Sequence, residues 1–223
     1  MKKHIAFDFD GTLVDTEELI YRSWQAVFKK YTGEENESEK IYKTFGETVA
    51  YSMDNFFPQD DNNYEKITYF RDFQKQNQDR YIKEFDGIGK LLKYLKDEKY
   101  LLSVVTSRKA KTTYEYLEKF KLRKFFDVII TCDDVKEHKP APEPLLKAIE
   151  RLSYMASTDI NKRETIMIGD TYFDIDCAYN AGVCSVLACW DNNKTRNNIK
   201  YFANRPDYII EKPEELIGVI KNA

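Results

Sequence analysis

The stretch IAFDFDGTLVDT (residues 5–16) ends a short apolar run in two carboxylates. Asp8 and Asp10 stand two positions apart, and Gly11 follows them directly. Side chains of an extended strand alternate between its two faces, so residues spaced by two leave on the same side. We therefore predict a buried strand over 4–9 with a pair of neighbouring acidic side chains at its end.

Further strand-like runs recur along the chain and alternate with amphipathic helical segments. In 88–98 and 143–153 the apolar residues recur at i, i+3, i+4 and i+7, the pattern of one buried helix face. Short apolar strands that alternate with such helices indicate a parallel sheet covered on both faces. We predict an α/β fold with a doubly wound parallel sheet, with strands in 4–9, 101–106, 127–131, 165–169, 184–189 and 207–211.

The alternation breaks between about 16 and 84, where the apolar periodicity is helical. This helical spacing relates Ile20, Trp24, Val27, Phe28 and Tyr31. The acidic composition favours a small helical core over a base-stacking surface for the remaining aromatic residues. These are Phe45, Tyr51, Phe56, Phe57, Tyr69, Phe70 and Phe73. The simplest architecture is a helical insert placed directly after the first strand.

The composition excludes several classes of protein. The 223 residues carry a net charge of −3, which argues against a broad nucleic-acid interface. Four scattered cysteines without a CxxC pair and only two histidines, His4 and His138, argue against a zinc site. No apolar run approaches membrane-spanning length, and the first one stops at Asp8, too early for a signal peptide. We expect a cytoplasmic protein without nucleic-acid or membrane partners, and a monomer by default.

Polar residues follow the first four predicted strands. In chain order they are Asp8 and Asp10, then Thr106 and Ser107, then Lys139 in the loop HKPAPEP, then Asp170 and Asp174 in GDTYFD. Ligands of parallel α/β sheets bind beyond the carboxyl ends of the strands. We therefore expect these four sets to converge on one edge of the sheet.

The chemistry of these residues indicates phosphoryl transfer. Clustered carboxylates from Asp8, Asp10 and Asp170 would repel each other unless a cation joins them. Their hard oxygen ligands suit Mg²⁺ better than zinc. Asp174 follows Asp170 by one helical turn and could orient Lys139 or a metal-bound water. A lysine, a hydroxyl and backbone N–H groups near a helix N-terminus together bind a phosphoryl group.

Each motif alone has a simpler structural explanation. Thr106 is also typical of a strand end, KPAPEP of a stiff loop, and GDTYFD of a turn with an N-cap. A calcium loop of the EF-hand type requires Gly sixth and Glu twelfth from its first Asp, whereas Gly11 is fourth and Leu19 twelfth. The prediction therefore rests on the order of the motifs at successive strand ends.

The segments DFDGTLVDT, VVTS, the lysine of HKPAPEP, and GDTYFD resemble the four motifs of the haloacid dehalogenase-like hydrolase superfamily. The resemblance covers nearly the whole chain and is to the branch with phosphoglycolate phosphatases, pyrophosphatases and β-phosphoglucomutase. It implies a Rossmann-like catalytic core of residues 1–15 and 85–223 and an inserted helical cap of 16–84. Asp15 and Thr16 would form the hinge where the cap departs.

The resemblance also implies roles for individual residues. Asp8 would attack phosphorus and form an aspartyl-phosphate, while Asp10 would protonate the leaving oxygen and then take a proton from water. The Asp8 carboxylate, the Asp10 backbone carbonyl and the Asp170 carboxylate would hold Mg²⁺. Thr106, the Ser107 backbone and Lys139 would hold the phosphoryl oxygens, with Asp174 behind them.

Departures from the family's patterns narrow the activity. Dehalogenases of the superfamily lack the second Asp, so Asp10 argues against them. Mutases related to β-phosphoglucomutase often carry a cap histidine where this chain has Ile20, and 16–84 contains no histidine. The segment DTEELIYRSW most resembles phosphoglycolate phosphatases and pyrophosphatases. We expect a Mg²⁺-dependent phosphatase that acts on a small phosphorylated metabolite.

Two alternatives remain open at this point. One is a sugar-phosphate mutase, and the other is a phospho-accepting or catalytically inactive binding protein. Response-regulator receivers combine similar residues but are about half this length and carry the phosphorylated Asp after their third strand. Every residue that catalysis requires is present in this chain, which disfavours an inactive scaffold.

Overall fold

The structure, a computed structural model, describes residues 2–190, 199 and 202–222. Its strands are β1 (His4–Phe7), β2 (Val14–Asp15), β3 (Lys83–Glu84), β4 (Leu101–Val105), β5 (Val128–Ile130), β6 (Thr165–Gly169), β7 (Cys184–Ala188) and β8 (Tyr208–Ile210). The α-helices of the described residues are α1 (Glu17–Thr32), α2 (Ser38–Tyr42), α3 (Val49–Phe56), α4 (Tyr64–Tyr81), α5 (Ile88–Asp97), α6 (Ala110–Lys119), α7 (Glu143–Ala156), α8 (Tyr172–Ala181) and α9 (Leu216–Asn222). Among these helices, none combines the length and apolar composition that crossing a bilayer requires.

Six strands form one parallel sheet in the order β5-β4-β1-β6-β7-β8. In the register of the central strand, His4 lies opposite Leu101 on one side and Thr165 on the other. All four residues of β1 are buried because both strand edges are paired and helices cover both faces. The predicted doubly wound α/β fold is confirmed.

Two apolar layers hold the helices against the sheet. On one face, Leu91, Leu92 and Leu95 of α5 pack against the sheet, and on the other face Leu145 and Leu152 of α7 do the same. These five side chains are at most 3% exposed. Burial of each leucine contributes about 1.5–3 kcal/mol, which explains why the i, i+3, i+4 pattern fixes these two helices.

Helices α1 to α4 all lie between β2 and β3. These two short strands pair antiparallel, with Val14 opposite Glu84 and Asp15 opposite Lys83, so the chain leaves the sheet and returns side by side. The four helices share their own core, in which the rings of Trp24 and Phe70 lie 4.9 Å apart. The exact boundaries of the cap at 16 and 84 stay a prediction.

Of the aromatic residues that the sequence assigns to this core, Tyr51 and Phe73 do not belong to it. Tyr51 is 59% exposed on α3, whereas the neighbouring Met53 is fully buried. Helix α3 has two turns and presents only one side to the core, so Tyr51 falls on its outer face.

Candidate functional site

Strands β1, β4 and β6 are neighbours in the sheet, and their carboxyl ends bring distant motifs together. Asp8 follows β1, Thr106 follows β4 and Asp170 follows β6. Lys139 lies in the loop between β5 and α7, and its Nζ reaches Asp8 Oδ1 at 2.8 Å. The parallel topology therefore gathers residues from four parts of the chain at one sheet edge.

Lys139 is the buried cation of this edge. Its Nζ donates to Asp8 Oδ1 and, at 2.5 Å, to Asp174 Oδ1, and the three side chains are at most 4% exposed. Burial alone would lower the pKa of Lys139, but the Asp174 and Asp8 carboxylates outweigh it and raise the pKa. The lysine is therefore held charged between two carboxylates.

Asp174 is fixed by the first turn of α8. Its Oδ2 accepts hydrogen bonds from the Thr171 backbone N–H at 3.1 Å and from Thr171 Oγ1 at 2.7 Å. Its other oxygen accepts from Lys139. A capping box at the helix N-terminus therefore aims this carboxylate at the lysine.

The carboxylates of Asp8, Asp170 and Asp174 form an acidic cluster, with one oxygen of each lying within 4.8 Å of the others. Burial, followed by the charge of Asp174, raises the pKa of Asp8 to about 7. The same two causes raise the pKa of Asp170 well above its ordinary value. If all three carboxylates are ionised, one lysine leaves two negative charges, which a divalent cation would match.

Two glycines make room for this cluster. A Cβ on Gly11, at φ +74°, would lie 2.1 Å from Asp170 Oδ2, and one on Gly169 would lie 2.2 Å from Asp174 Cγ. Thr12 Oγ1 donates to Asp170 Oδ1 at 3.2 Å. The chemistry of these oxygen donors fits a hard divalent cation, and the two glycines leave room for their side chains.

Asp10 does not belong to the acidic cluster of the described residues, although it lies two positions from Asp8. Strand β1 ends at Phe7, and the chain turns immediately afterwards: Phe9 O accepts the N–H groups of Leu13 and Val14 at 3.0 and 3.1 Å. The extended alternation therefore stops before it can place both carboxylates together.

The Asp10 carboxylate instead binds Thr16 and Arg108. Thr16 Oγ1 donates to Asp10 Oδ1 at 2.7 Å, and Arg108 donates to both carboxylate oxygens. None of the sequence motifs assigns a role to Arg108. Its only signal in the sequence is a position directly after Thr106 and Ser107, which follow β4. An arginine close to a helix start is usually a surface residue.

The residues match the haloacid dehalogenase-like hydrolase family over 5–188. The chain belongs to this family. It is 33% identical over 217 residues to the pyrophosphatase PpaX of Bacillus mycoides, covering 97% of this chain and 95% of the relative. A solved structure described as a predicted phosphatase, from Clostridium acetobutylicum, is 27% identical with a TM-score of 0.82, and the match covers both chains completely.

A second solved structure, described as a predicted phosphoglycolate phosphatase from Haemophilus somnus, shares the fold. Its TM-score is 0.75 at 20% identity, and the match covers 98% of this chain and 97% of that one. The predicted family is therefore confirmed, and the chain is an enzyme, a hydrolase of phosphatase type.

In this hydrolase the helical insert closes over the sheet edge. Ser107 Oγ donates to the backbone carbonyl of Gly46 at 2.7 Å. Gly46 has φ +97°, and a Cβ there would lie 2.6 Å from Phe173 Cδ2 and 2.8 Å from Thr171 Oγ1. The insert therefore contacts the segments after β4 and β6, and only glycine fits this approach.

Between the insert and the sheet edge lies a cleft of about 1910 Å³. Its lining includes Asp10, Thr16 and Ile20 at the start of the insert, and Gly46 and Asp170 near the acidic cluster. This volume exceeds that of a typical small-molecule site, about 300–1,000 Å³, so a small ligand fits with water around it.

Two further predicted residues, Asp15 and Thr106, make local contacts near the site. Asp15 sits in β2, accepts the Glu17 backbone N–H at 3.3 Å and pairs with Lys83 of β3 at 3.5 Å. Thr106 is 4% exposed, and its Oγ1 accepts the Arg108 backbone N–H at 3.1 Å. These contacts position the start of the insert and the segment after β4.

Proposed function

We propose that this hydrolase is a Mg²⁺-dependent phosphatase that cleaves a small phosphorylated metabolite. Pyrophosphate comes first among the substrates, ahead of phosphoglycolate and sugar phosphates, and the similarity to a pyrophosphatase over 97% of the chain supports this order. The observation that carries the proposal is the buried Asp8–Lys139 pair beside the acidic cluster, at the edge of a cleft.

The residues assigned to the metal are the Asp8 and Asp170 carboxylates and the Asp10 backbone carbonyl, with Asp174 as a further oxygen donor close by. A bound Mg²⁺ would neutralise charge on the phosphoryl oxygens and on the cluster itself. The match in charge between the cluster and a divalent cation supports this assignment.

In the proposed reaction, an Asp8 oxygen attacks phosphorus and the bond from phosphorus to the leaving oxygen breaks. Asp10 gives that oxygen a proton where the leaving group needs one. Water then attacks the aspartyl-phosphate, Asp10 accepts a proton from the water, and phosphate leaves with Asp8 restored. Lys139 orients Asp8 and, with Thr106 and the Ser107 backbone, would bind the phosphoryl oxygens.

Residues 16–84 would act as the cap. The contact between Ser107 and Gly46 places the insert over the sheet edge, where it would exclude bulk water and choose the substrate. Asp15 and Thr16 lie at the junction and would serve as the hinge.

The test measures phosphate release from pyrophosphate and from an aryl phosphate, with Mg²⁺ and with EDTA. We expect turnover only with Mg²⁺, and we expect Asp8→Asn to remove it because the nucleophile is lost. Asp97→Asn is the matched control, since Asp97 pairs with Lys93 on the exposed face of α5. Equal activity in EDTA, or full activity of Asp8→Asn, would contradict the proposal. Isomerised sugar phosphate without free phosphate would instead indicate a mutase.

A further inference from the structure

Arg108 binds Asp10 through a fork of two nitrogens. Nη2 lies 2.6 Å from Oδ1, while Nε lies 3.0 Å from Oδ2 and 3.2 Å from Oδ1. A planar guanidinium that contacts both oxygens of a carboxylate restrains both its position and its rotation. Because Lys139 pairs with Asp8, each of the two motif carboxylates has its own cation.

The arginine itself has little freedom to move. Its backbone N–H donates to Thr106 Oγ1 at 3.1 Å, and its carbonyl accepts the Cys132 N–H at 3.1 Å. The guanidinium carbon lies 4.9 Å from the centre of the Tyr116 ring and 5.8 Å from that of Phe9. With a side chain only 7% exposed, Arg108 is held by the fold and in turn holds Asp10.

The hydrogen bonds distinguish the two oxygens of Asp10. Oδ1 accepts from Thr16 Oγ1 at 2.7 Å and from both Arg108 nitrogens. Within the part of the chain that the structure describes, Oδ2 accepts from Arg108 Nε alone. A carboxylate oxygen has about two acceptor sites, so Oδ1 is saturated and Oδ2 keeps one site open. Asp10 is 25% exposed and lines the cleft.

We propose that Arg108 is a positioning residue for the phosphatase reaction. It holds Asp10 so that Oδ2, rather than Oδ1, exchanges the proton with the leaving group and with water. The expected effect on turnover rests on the proposed function. The orientation of the Asp10 carboxylate by Arg108 does not depend on that function. Arg108 acts through Asp10 and needs no contact with the substrate.

The first test replaces the arginine with a shorter, apolar residue that cannot bind a carboxylate. We expect Arg108→Leu to lower kcat for pyrophosphate and for an aryl phosphate by about 10–100-fold, with KM within about twofold, because misplacing a proton-exchanging group affects the chemical step. Arg151→Leu is the matched control, since Arg151 of α7 forms a more exposed ion pair with Asp134. The control should keep the wild-type kcat.

The second test separates positioning from a general structural effect. In an Asp10→Asn background, Arg108→Leu should cause no further loss of kcat beyond about twofold, because the group that it positions is already inactive. Guanidinium added at millimolar concentration should restore at least part of kcat in Arg108→Ala and none in Arg108→Ala with Asp10→Asn. An equal loss in both backgrounds would overturn the inference.

A third measurement does not depend on turnover. Crystal structures of the wild type and of Arg108→Leu should show the Asp10 carboxylate rotated in the leucine variant. An unmoved Asp10 in Arg108→Leu refutes the positioning role. If the wild type releases no phosphate with Mg²⁺, the proposed function and the kinetic role fail together, while these structures still decide what orients Asp10.

Discussion

The pH dependence of folding stability should report on His4, which lies in the centre of the sheet. Its Nε2 lies 2.8 Å from Ser103 Oγ on β4 and its Nδ1 3.3 Å from Thr165 Oγ1 on β6. The side chain is fully buried, and this burial lowers the pKa of His4 from 6.5 to about 3. The folded protein therefore keeps the imidazole neutral at a pH where the unfolded chain takes up a proton.

The sign and size of the effect follow from this difference. His4 contributes fully to stability above about pH 6.5, and the contribution is lost as the pH falls from 6.5 towards 3. Between about pH 7.5 and pH 5 the free energy of unfolding should fall by about 2 kcal/mol from this residue alone. Asp8 changes the free energy of unfolding in the opposite direction. Because its pKa is raised to about 7 in the folded protein, the folded state binds a proton more readily than the unfolded chain and gains stability as the pH falls below about 7.

The difference between two proteins isolates His4 from Asp8. Urea unfolding of the wild type and of His4→Gln, measured from about pH 7.5 to pH 5, should give curves that converge by about 2 kcal/mol as the pH falls. Glutamine can still contact Ser103 but cannot be protonated. Parallel curves for the wild type and His4→Gln would refute the reasoning.

Three further changes test the site. Gly46→Ala should lower kcat/KM at least about tenfold, because the added Cβ meets Phe173 and Thr171. Its control is Gly33→Ala, at φ +82° with open space around it, which should cost about 1 kcal/mol of stability and leave steady-state activity unchanged. Lys139→Met should abolish activity and lower the free energy of unfolding in urea by about 3–5 kcal/mol, because two buried carboxylates lose their cation. Its control is Lys96→Met, which removes a more exposed ion pair with Asp127 and should cost at most about 1 kcal/mol. Millimolar Mg²⁺ should raise the melting temperature of the wild type but not of Asp170→Asn, and an equal rise in both would contradict the metal assignment.

The acidic cluster illustrates how far local patterns reach. Asp8 and Asp170 each follow a strand, and parallel strands end at one edge, so their proximity could be predicted without coordinates. The place of Asp174 in the cluster could not, because it depends on the capping box of α8 and on the approach of Lys139 from another loop. The sequence predicts only that Asp174 could orient Lys139 or a metal-bound water, and it does not place Asp174 among the clustered carboxylates.

Apolar periodicity and strand alternation act over a few neighbouring positions, so the sheet, its helical insert and the residues at the strand ends could be predicted without coordinates. Tertiary structure alone decided the partners of the charges. Asp10 pairs with Arg108, which lies 98 positions away in the sequence, and Ser107 bonds Gly46, which lies 61 positions away. These contacts form because the turn after β1 and the loop of the insert bring the residues together. Such pairs depend on where separate loops meet in space. The carboxylates of Asp8 and Asp10, which look alike in the sequence, therefore lie in different surroundings in the folded protein.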